Sequence, residues 1–230
     1  MREVEEEGIA VDLENAIQAF QIQINTNATM SSRLFAQDLQ NKSLRYLDIG
    51  CGIGRYMLIL KNNGIKNVFG FDIVYRLVEI GNREYGLKNI LAASAKRIPL
   101  PKGSVDRVLM YNVIEHCSEP EKVLSEVHRI LTPDGFLYMD VPNARSMGDR
   151  LFRWGGKIVY GKTSHIQKFT WGRIERIVAM TNFQVMQYKT QRGIFLDYPQ
   201  LNGFTVLKKI LGLLFGEEIA AWELKLGKKQ

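Results

Sequence analysis

Apolar residues follow two alternating patterns through the middle of the chain. Short apolar runs, typical of buried strands, are followed by stretches in which apolar residues recur every three or four positions, as in amphipathic helices. The runs predict strands at 44–49, 68–72, 90–93, 107–111 and 136–141, and the periodic stretches predict helices at 56–63, 76–85 and 120–131. Strands alternating with helices predict an α/β fold with a mainly parallel sheet covered on both faces, which binds ligands at the carboxyl ends of its strands.

The pattern breaks after Pro142 and then resumes. A helix is predicted over 171–181, with Thr170 as its N-cap and Asn182 as a left-handed residue at its end. Strands are predicted over 183–189 and 220–226. Because no repeat or long linker divides the chain, we expect a single domain over 1–230. Three segments are expected to be added to its sheet, namely a helical N-terminal flank (1–40), a basic and aromatic cap (143–168) and an apolar helical insertion (201–215).

Composition excludes several classes of protein. With 46% hydrophobic and 24% charged residues in 230 positions, the chain is neither disordered nor collagenous, and it can bury one substantial core. Its two cysteines cannot form a disulfide framework and have no metal-binding spacing, so we expect no metal. The acidic start is unlike a signal peptide, and no run of about 20 apolar residues occurs. We therefore expect a cytoplasmic protein.

Positive charge is concentrated in the last third of the chain. Residues 1–144 contain 16 Lys/Arg and 18 Asp/Glu, whereas residues 145–230 contain 15 Lys/Arg and 6 Asp/Glu, within a net charge of +7. An anionic partner is therefore expected to meet the C-terminal part.

A glycine cluster lies between the first predicted strand and the helix after it, in the sequence Asp48-Ile49-Gly50-Cys51-Gly52-Ile53-Gly54-Arg55. Glycines let the backbone approach a ligand closely, and the N–H groups that open a helix favour an anionic group. Asp72 ends the next strand, at the separation of about 20 residues typical of a carboxylate that binds ribose hydroxyls. The combination predicts a nucleoside-containing ligand. A structural turn followed by a surface aspartate is the alternative.

These residues lie in three segments, YLDIGCGIGR, FGFDIV and RIPLPKGSVDRVLMYNVIEHCSEPEKVLSEVHRILTPDGFLYMDVPN, which together resemble the class I S-adenosylmethionine-dependent methyltransferases. The similarity is greatest to the subgroup that methylates small molecules, and it resumes in HIQKFTWGRIERIVAMTNFQV. The resemblance implies S-adenosylmethionine as cofactor. It also implies a Rossmann-like, mostly parallel sheet of seven strands with helices on both faces and a reversed final strand.

The resemblance also implies which residues bind the cofactor. Asp72 would bind the ribose, and Ile73 would pack on the adenine. Ser94 and Ala95 occupy positions where the family often has an acidic residue and a small one beside the adenine. Because a serine hydroxyl is a neutral and weaker partner, we expect reduced affinity. The residues that would surround the methionine half are Asp48, Gly50, Cys51, Gly52, Gly54, Tyr111 and Asn112.

Three side chains in this region have two interpretations each. Arg55 either pairs with the methionine carboxylate or is a solvated residue at the start of a helix. His165 and His116 are the candidates for a catalytic base, since imidazole accepts a proton near neutral pH, and each also has a purely structural interpretation. Cys51 is expected to be an inert buried thiol.

The acceptor is predicted from the added segments. Residues 143–168 mix basic and aromatic side chains, which suit an anionic small molecule or a lipid headgroup. The apolar face of 201–215 would cover the sheet, a dimer partner or a membrane interface. We therefore predict O-methylation of a small or lipid-linked anionic acceptor by a monomer or homodimer. The alternatives are RNA or protein methylation, of which nucleic acid is the less favoured partner, and a cofactor-binding interaction protein without catalysis.

Overall fold

The computed structural model describes residues 17, 20, 33–145, 166–192 and 219–229. Its seven strands are β1 (Arg45–Ile49), β2 (Asn67–Asp72), β3 (Ile90–Ala92), β4 (Val105–Met110), β5 (Leu131–Pro142), β6 (Phe183–Arg192) and β7 (Ile219–Lys228). Its α-helices are α1 (Arg55–Asn62), α2 (Tyr75–Tyr85), α3 (Pro120–Ile130) and α4 (Trp171–Met180), with 3-10 helices at Leu34–Gln40 and Ile114–His116.

The strands form a single sheet in the order β3-β2-β1-β4-β5-β7-β6. Strands β1 to β5 pair in parallel, whereas β7 is antiparallel to both β5 and β6. The predicted seven-stranded, mostly parallel sheet with a reversed final strand is thus confirmed. The order reverses direction between β1 and β4, which is where an open α/β sheet forms its ligand crevice.

Helices α3 and α4 pack on one face of the sheet. Their apolar residues recur at helical spacing, so each helix presents one apolar side to the strands. Pro120 occupies the first turn of α3, where its missing N–H costs no hydrogen bond. Buried residues of α3 and α4, such as Val127 and Ile177, pack on alternate residues of the strands, such as Leu137 and Leu224. This face holds the larger part of the core.

The opposite face is covered by α1 and by the 3-10 helix Leu34–Gln40. Leu34 and Phe35 are almost completely buried there, together with Met57 and Tyr138. The expectation that the first 40 residues only flank the core is therefore wrong for this segment. The sequence missed it because a short 3-10 helix has no amphipathic period long enough to read.

Most predicted elements agree with the structure to within two residues. Strand β5 is the main difference, since it begins five residues before the predicted 136–141. Its first residue, Leu131, already pairs with Val105 ahead of an irregular step in the register. Thr170 is the N-cap of α4 as predicted, although its side chain makes no capping hydrogen bond. Asn182 has the expected left-handed backbone, with a φ of 57°.

The added segments are described only in part. Most of the predicted cap and all of the predicted insertion at 201–215 lie outside the described residues. Among the residues that the structure describes, no helix combines the length and apolar character needed to cross a bilayer.

Candidate functional site

The glycine loop follows β1 and leads directly into α1. Gly50 and Gly52 have φ values of 68° and 55°, in the left-handed region that glycine adopts most easily. A Cβ atom on Gly50 would lie only 2.3 Å from Cγ2 of Val113, whereas no atom of the described residues would lie within 4 Å of a Cβ atom on Gly52. Gly50 is therefore required for packing. Within the described part of the chain, Gly52 faces open space, so that a ligand can approach its backbone.

Asp72 connects the end of β2 to this loop. Its Oδ2 accepts a hydrogen bond from Gly52 N at 2.8 Å, and its Oδ1 accepts one from Val74 N at 2.8 Å. Burial raises the pKa of the carboxyl, and these backbone donors partly offset that effect. An ionised carboxylate has about four acceptor positions. Asp72 therefore retains acceptor positions for the two hydroxyls of a ribose.

Asp48 lies in β1, just before the glycine loop. It is buried, and its Oδ2 has no hydrogen-bond partner among the described residues. Burial, followed by the proximity of Asp72, raises the pKa of Asp48 well above its usual range. Because buried polar atoms are normally hydrogen-bonded, this oxygen fits a site that a polar ligand completes. With the open backbone of Gly52, it indicates that the residues present fit the cofactor implied by the resemblance.

The predicted adenine-side residues lie at the neighbouring strand ends. Ile73 follows β2, and Ser94 and Ala95 follow β3, which is paired with β2. All three are half-buried. The Ser94 hydroxyl oxygen already accepts a hydrogen bond from Lys96 N at 3.3 Å, but a hydroxyl has a second lone pair.

Tyr111 and Asn112 lie at the end of β4, beside the glycine loop. The Tyr111 hydroxyl donates to Glu223 Oε1 at 2.7 Å, and burial raises the pKa of Tyr111 far above its usual value. Asn112 has a φ of 56°, and its backbone N–H donates to Asp140 Oδ1 at 2.6 Å. The structure thus brings these two residues to the same edge of the sheet as Asp48, Gly52 and Asp72.

A buried group of charged residues extends the site beyond Tyr111, and the sequence did not reveal it. Asp140 of β5 and Glu223 of β7 are directly opposite one another across an antiparallel pair. Both are buried, and the guanidinium of Arg33 lies beside them, with Nη1 3.6 Å from Asp140 Oδ2. Like charges opposite one another across a sheet are unfavourable. Arg33 offsets part of that repulsion.

Of the two predicted catalytic histidines, the structure describes one. His116 ends the 3-10 helix Ile114–His116 after β4, with its Nε2 3.9 Å from Glu115 Oε1. Glu115 is buried, and burial with the proximity of Asp140 raises its pKa to about 8. His165 lies outside the described residues.

Cys51 lies inside the glycine loop and is buried. Burial, followed by Asp48 and Asp72, raises the pKa of its thiol well above the usual value. The thiolate is the nucleophilic form, so this environment suits an inert residue. In the described part of the chain, no group of three or more His, Cys, Asp or Glu side chains has the geometry to hold a metal ion.

Known proteins are similar in sequence to the part of the chain that holds these residues. A family model described as a methyltransferase domain matches residues 47–139. The chain is 25% identical over 134 residues to a malonyl-[acyl-carrier protein] O-methyltransferase of Yersinia pestis, covering 58% of this chain and 50% of that protein. It is also 33% identical over 97 residues to a "probable S-adenosylmethionine-dependent methyltransferase" of Mycolicibacterium smegmatis, covering 42% of this chain and 37% of that protein.

A solved structure from Thermotoga maritima, described as a SAM-dependent methyltransferase and possible histamine N-methyltransferase, has the same fold. It matches with a TM-score of 0.66 and 23% identity, over 95% of this chain and 96% of that chain. This chain spans about half the length, or less, of the two curated relatives named above. The match over 47–139 and the sheet that surrounds it show that this chain contains a methyltransferase domain with the fold of the class I S-adenosylmethionine-dependent methyltransferases, a family whose cofactor is S-adenosylmethionine.

Proposed function

We propose that this chain transfers the methyl group of S-adenosylmethionine to an oxygen of a small or lipid-linked anionic acceptor. The observation that carries the proposal is the hydrogen bond between Gly52 N and Asp72, which joins the glycine loop after β1 to the carboxylate at the end of β2. That hydrogen bond sets a carboxylate beside open backbone at the carboxyl ends of β1 and β2, next to the point between β1 and β4 where the strand order reverses. A nucleoside with a charged tail fits such a surface.

Each side of the crevice would bind a different part of the cofactor. Asp72 would accept hydrogen bonds from the ribose, with Ile73 and Ser94 beside the adenine. The open backbone at Gly52 and the buried oxygen of Asp48 would face the methionine half, and Tyr111 would lie beneath it. These assignments follow the strand ends on which the residues lie.

When bound, S-adenosylmethionine would supply a methyl group activated by its sulfonium, and transfer to an acceptor hydroxyl would leave S-adenosylhomocysteine and one proton. The residues of the chain would hold the acceptor in line with that methyl group and accept the proton. His116, at the carboxyl edge of β4, and His165 are the proposed proton acceptors.

The anionic acceptor is supported by charge and by one relative. The excess of Lys and Arg after residue 145 suits an anionic molecule. The Yersinia pestis relative is named for O-methylation of a malonyl group on a carrier protein. A cytoplasmic location, with peripheral membrane contact through 201–215 when the acceptor is lipid-linked, is part of the same proposal.

Calorimetric titration of the protein tests the cofactor directly, without knowledge of the acceptor. S-Adenosylmethionine and S-adenosylhomocysteine are expected to bind with micromolar affinity, and NAD serves as a control that is not expected to bind. Absence of binding for both sulfur compounds would contradict the proposal and would favour an interaction protein without catalysis.

Substitution of the two histidines tests the proton acceptor. His116→Ala or His165→Ala is expected to slow methyl transfer about a hundredfold, the lower range for loss of a general base, while affinity for S-adenosylhomocysteine is retained. Release of S-adenosylhomocysteine would be measured with anionic lipids and phosphosugars as acceptors. Rates that are unchanged in both variants would assign both histidines to structural roles.

A further inference from the structure

The connection between β3 and β4 spans residues 93–104 and has no helix or strand of its own. Such a loop must find hydrogen-bond partners for its backbone in other elements, because buried N–H and C=O groups are seldom left unpaired. Its first turn carries Ser94 and Ala95, which lie beside the adenine in the proposed function. The position of these two residues therefore depends on what holds the loop.

Two charged residues of α3, Glu126 and Arg129, hold the middle of this loop and are called the α3 pair below. Glu126 Oε2 accepts a hydrogen bond from Ile98 N at 2.9 Å. Arg129 donates from Nη2 to Ile98 O at 2.9 Å and from Nη1 to Leu100 O at 2.8 Å. The side chain of Ile98 is buried in the core, so the α3 pair and the core fix the same point of the loop.

The two residues of the α3 pair also hold each other. Arg129 donates from Nε to Glu126 Oε1 at 2.8 Å and from Nη2 to Glu126 Oε2 at 2.9 Å, so that a planar guanidinium meets both oxygens of a carboxylate. These bonds lower the pKa of Glu126, which keeps its carboxylate ionised. Near the end of the loop, Gly103 N donates to the backbone oxygen of Arg129 at 3.1 Å. The α3 pair is thus an ordered contact between a helix and a loop, unlike an isolated surface ion pair.

The loop is held at its start as well. Ala93 N donates to Asp72 O at 2.9 Å, so the loop leaves β3 beside the residue proposed to bind the ribose. A turn follows, in which Arg97 N donates to Ser94 O at 3.2 Å. The adenine-side residues therefore lie between two fixed points, Ala93 and Ile98. Release of Ile98 would leave this turn held at one end only.

We propose that Glu126 and Arg129 are positioning residues for recognition of the adenine. They hold the β3–β4 loop where the Ser94 hydroxyl can accept a hydrogen bond from the 6-amino group of the base. This inference rests on the proposed function, because it assumes that the crevice binds S-adenosylmethionine with Ser94 beside the adenine. Neither residue of the α3 pair touches the cofactor in this proposal. Loss of the pair is therefore expected to weaken one contact of the base and to leave the contacts at the glycine loop intact.

The test compares two ligands that differ only in the base. S-Adenosylhomocysteine carries the 6-amino group, whereas a hydrogen atom replaces that group in its 6-deamino analogue. Calorimetric titration would measure the affinities of both ligands for the wild-type protein, for Arg129→Met, Arg129→Lys, Glu126→Gln and Ser94→Ala, and for the double variant that combines Arg129→Met with Ser94→Ala. Arg83→Met is the matched control, because Arg83 belongs to an exposed arginine–glutamate pair on α2.

The wild-type protein is expected to bind S-adenosylhomocysteine about two- to tenfold more tightly than the 6-deamino analogue, the range for one neutral hydrogen bond. Arg129→Met is expected to lose most of this preference. Arg129→Lys keeps the charge but not the planar fork, so an intermediate preference is expected. Glu126→Gln keeps an acceptor for Ile98 N and is expected to retain more of the preference than Arg129→Met. Arg83→Met is expected to retain all of it.

The double variant shows whether the α3 pair acts through Ser94. Because both substitutions would remove the same contact, the double variant is expected to lose no more of the preference than either single variant. Losses that add would overturn the proposal, since the pair and Ser94 would then act on different contacts. If Arg129→Met does not fold, Arg129→Lys combined with Ser94→Ala makes the same comparison.

Two further results would overturn the proposal. Equal weakening of both ligands in Arg129→Met would mean that the α3 pair acts only through the stability of the fold. Equal affinity of the wild-type protein for both ligands would mean that this loop does not recognise the amino group. A wild-type protein that binds neither ligand would refute the proposed function itself, and that result is thereby distinguished from a failure confined to the α3 pair.

Discussion

The two sides of the crevice are built in different ways. On the side of β1 and β2, the glycine loop and Asp72 lie within 25 residues of sequence and are joined through backbone N–H groups. On the side of β4, β5 and β7, the contacts join residues far apart, such as Tyr111 and Glu223, which are 112 positions apart, and Leu34 and Glu223, which are 189 apart. The β1–β2 side is formed by one nearly continuous sequence motif. The β4–β5–β7 side is formed by residues that only the register of the sheet brings together.

This difference extends to how the buried carboxylates are stabilised. Asp72 is held by backbone donors of its own turn and of the adjacent loop. Glu223 depends on a tyrosine hydroxyl and on the N–H of a distant segment, and it faces another carboxylate, that of Asp140. The β1–β2 side is therefore expected to tolerate changes elsewhere in the chain, while the β4–β5–β7 side is expected to depend on several elements at once.

The largest effect is expected on the β1–β2 side. Asp72→Ala is expected to weaken S-adenosylmethionine binding about a hundredfold, because two hydrogen bonds to a charged acceptor are lost, each contributing about 1.5 kcal/mol or more. Calorimetry would measure the affinity, with the exposed Asp134→Ala as the matched control. Near-normal affinity in Asp72→Ala would refute the ribose assignment.

A smaller effect is expected from the contacts that join distant segments. Glu223→Ala leaves two donors, Leu34 N and the Tyr111 hydroxyl, without their acceptor, at a cost of about 2 kcal/mol of unfolding free energy. Glu223→Gln keeps an acceptor oxygen and removes the charge opposite Asp140, so it is expected to cost less than about 1 kcal/mol. Urea unfolding would compare the two variants. Equal destabilisation by both would show that charge, rather than hydrogen bonding, is what matters at this position.

The smallest of these effects is a change of the free energy of unfolding with pH that is caused by the carboxyl group of Glu115. Its pKa is about 8 in the folded protein, against 4.5 as the usual value. Between these values the folded state holds a proton that the unfolded state releases, so stability falls as pH rises through this window. The side chain in Glu115→Gln cannot ionise, so this variant does not lose stability in this way as the pH rises. Its stability relative to wild type is expected to increase by about 1.4 kcal/mol from pH 6 to pH 7.

Urea unfolding at the two pH values would measure this change. The other buried carboxyls are shared by both proteins, so their titration largely cancels in the difference. A constant difference between Glu115→Gln and wild type would show that Glu115 titrates normally in the folded state.

The same contrast explains what the sequence could predict. The sequence predicts that Gly50, Gly52 and Asp72 lie together, because strand, turn and carboxylate follow one another at a fixed spacing. The sequence also predicts the strand that carries Glu223, but it does not predict which residues Glu223 contacts. Those contacts depend on how the strands align in three dimensions. Arg33 was missed because it precedes a 3-10 helix that has no readable period. The raised pKa of Glu115 follows from burial, which a sequence does not display.

The position of β7 has a consequence for how the protein is made. Strand β7 lies between β5 and β6, and within the described sheet it is the only neighbour of β6. During synthesis, β5 therefore keeps an open edge, and β6 has no strand to pair with, until residues 219–228 have left the ribosome. Tyr111 and Leu34 gain their shared acceptor at that moment. A nascent chain can thus shape its glycine loop early, but it completes the other half of the crevice only after residues 219–228 have emerged.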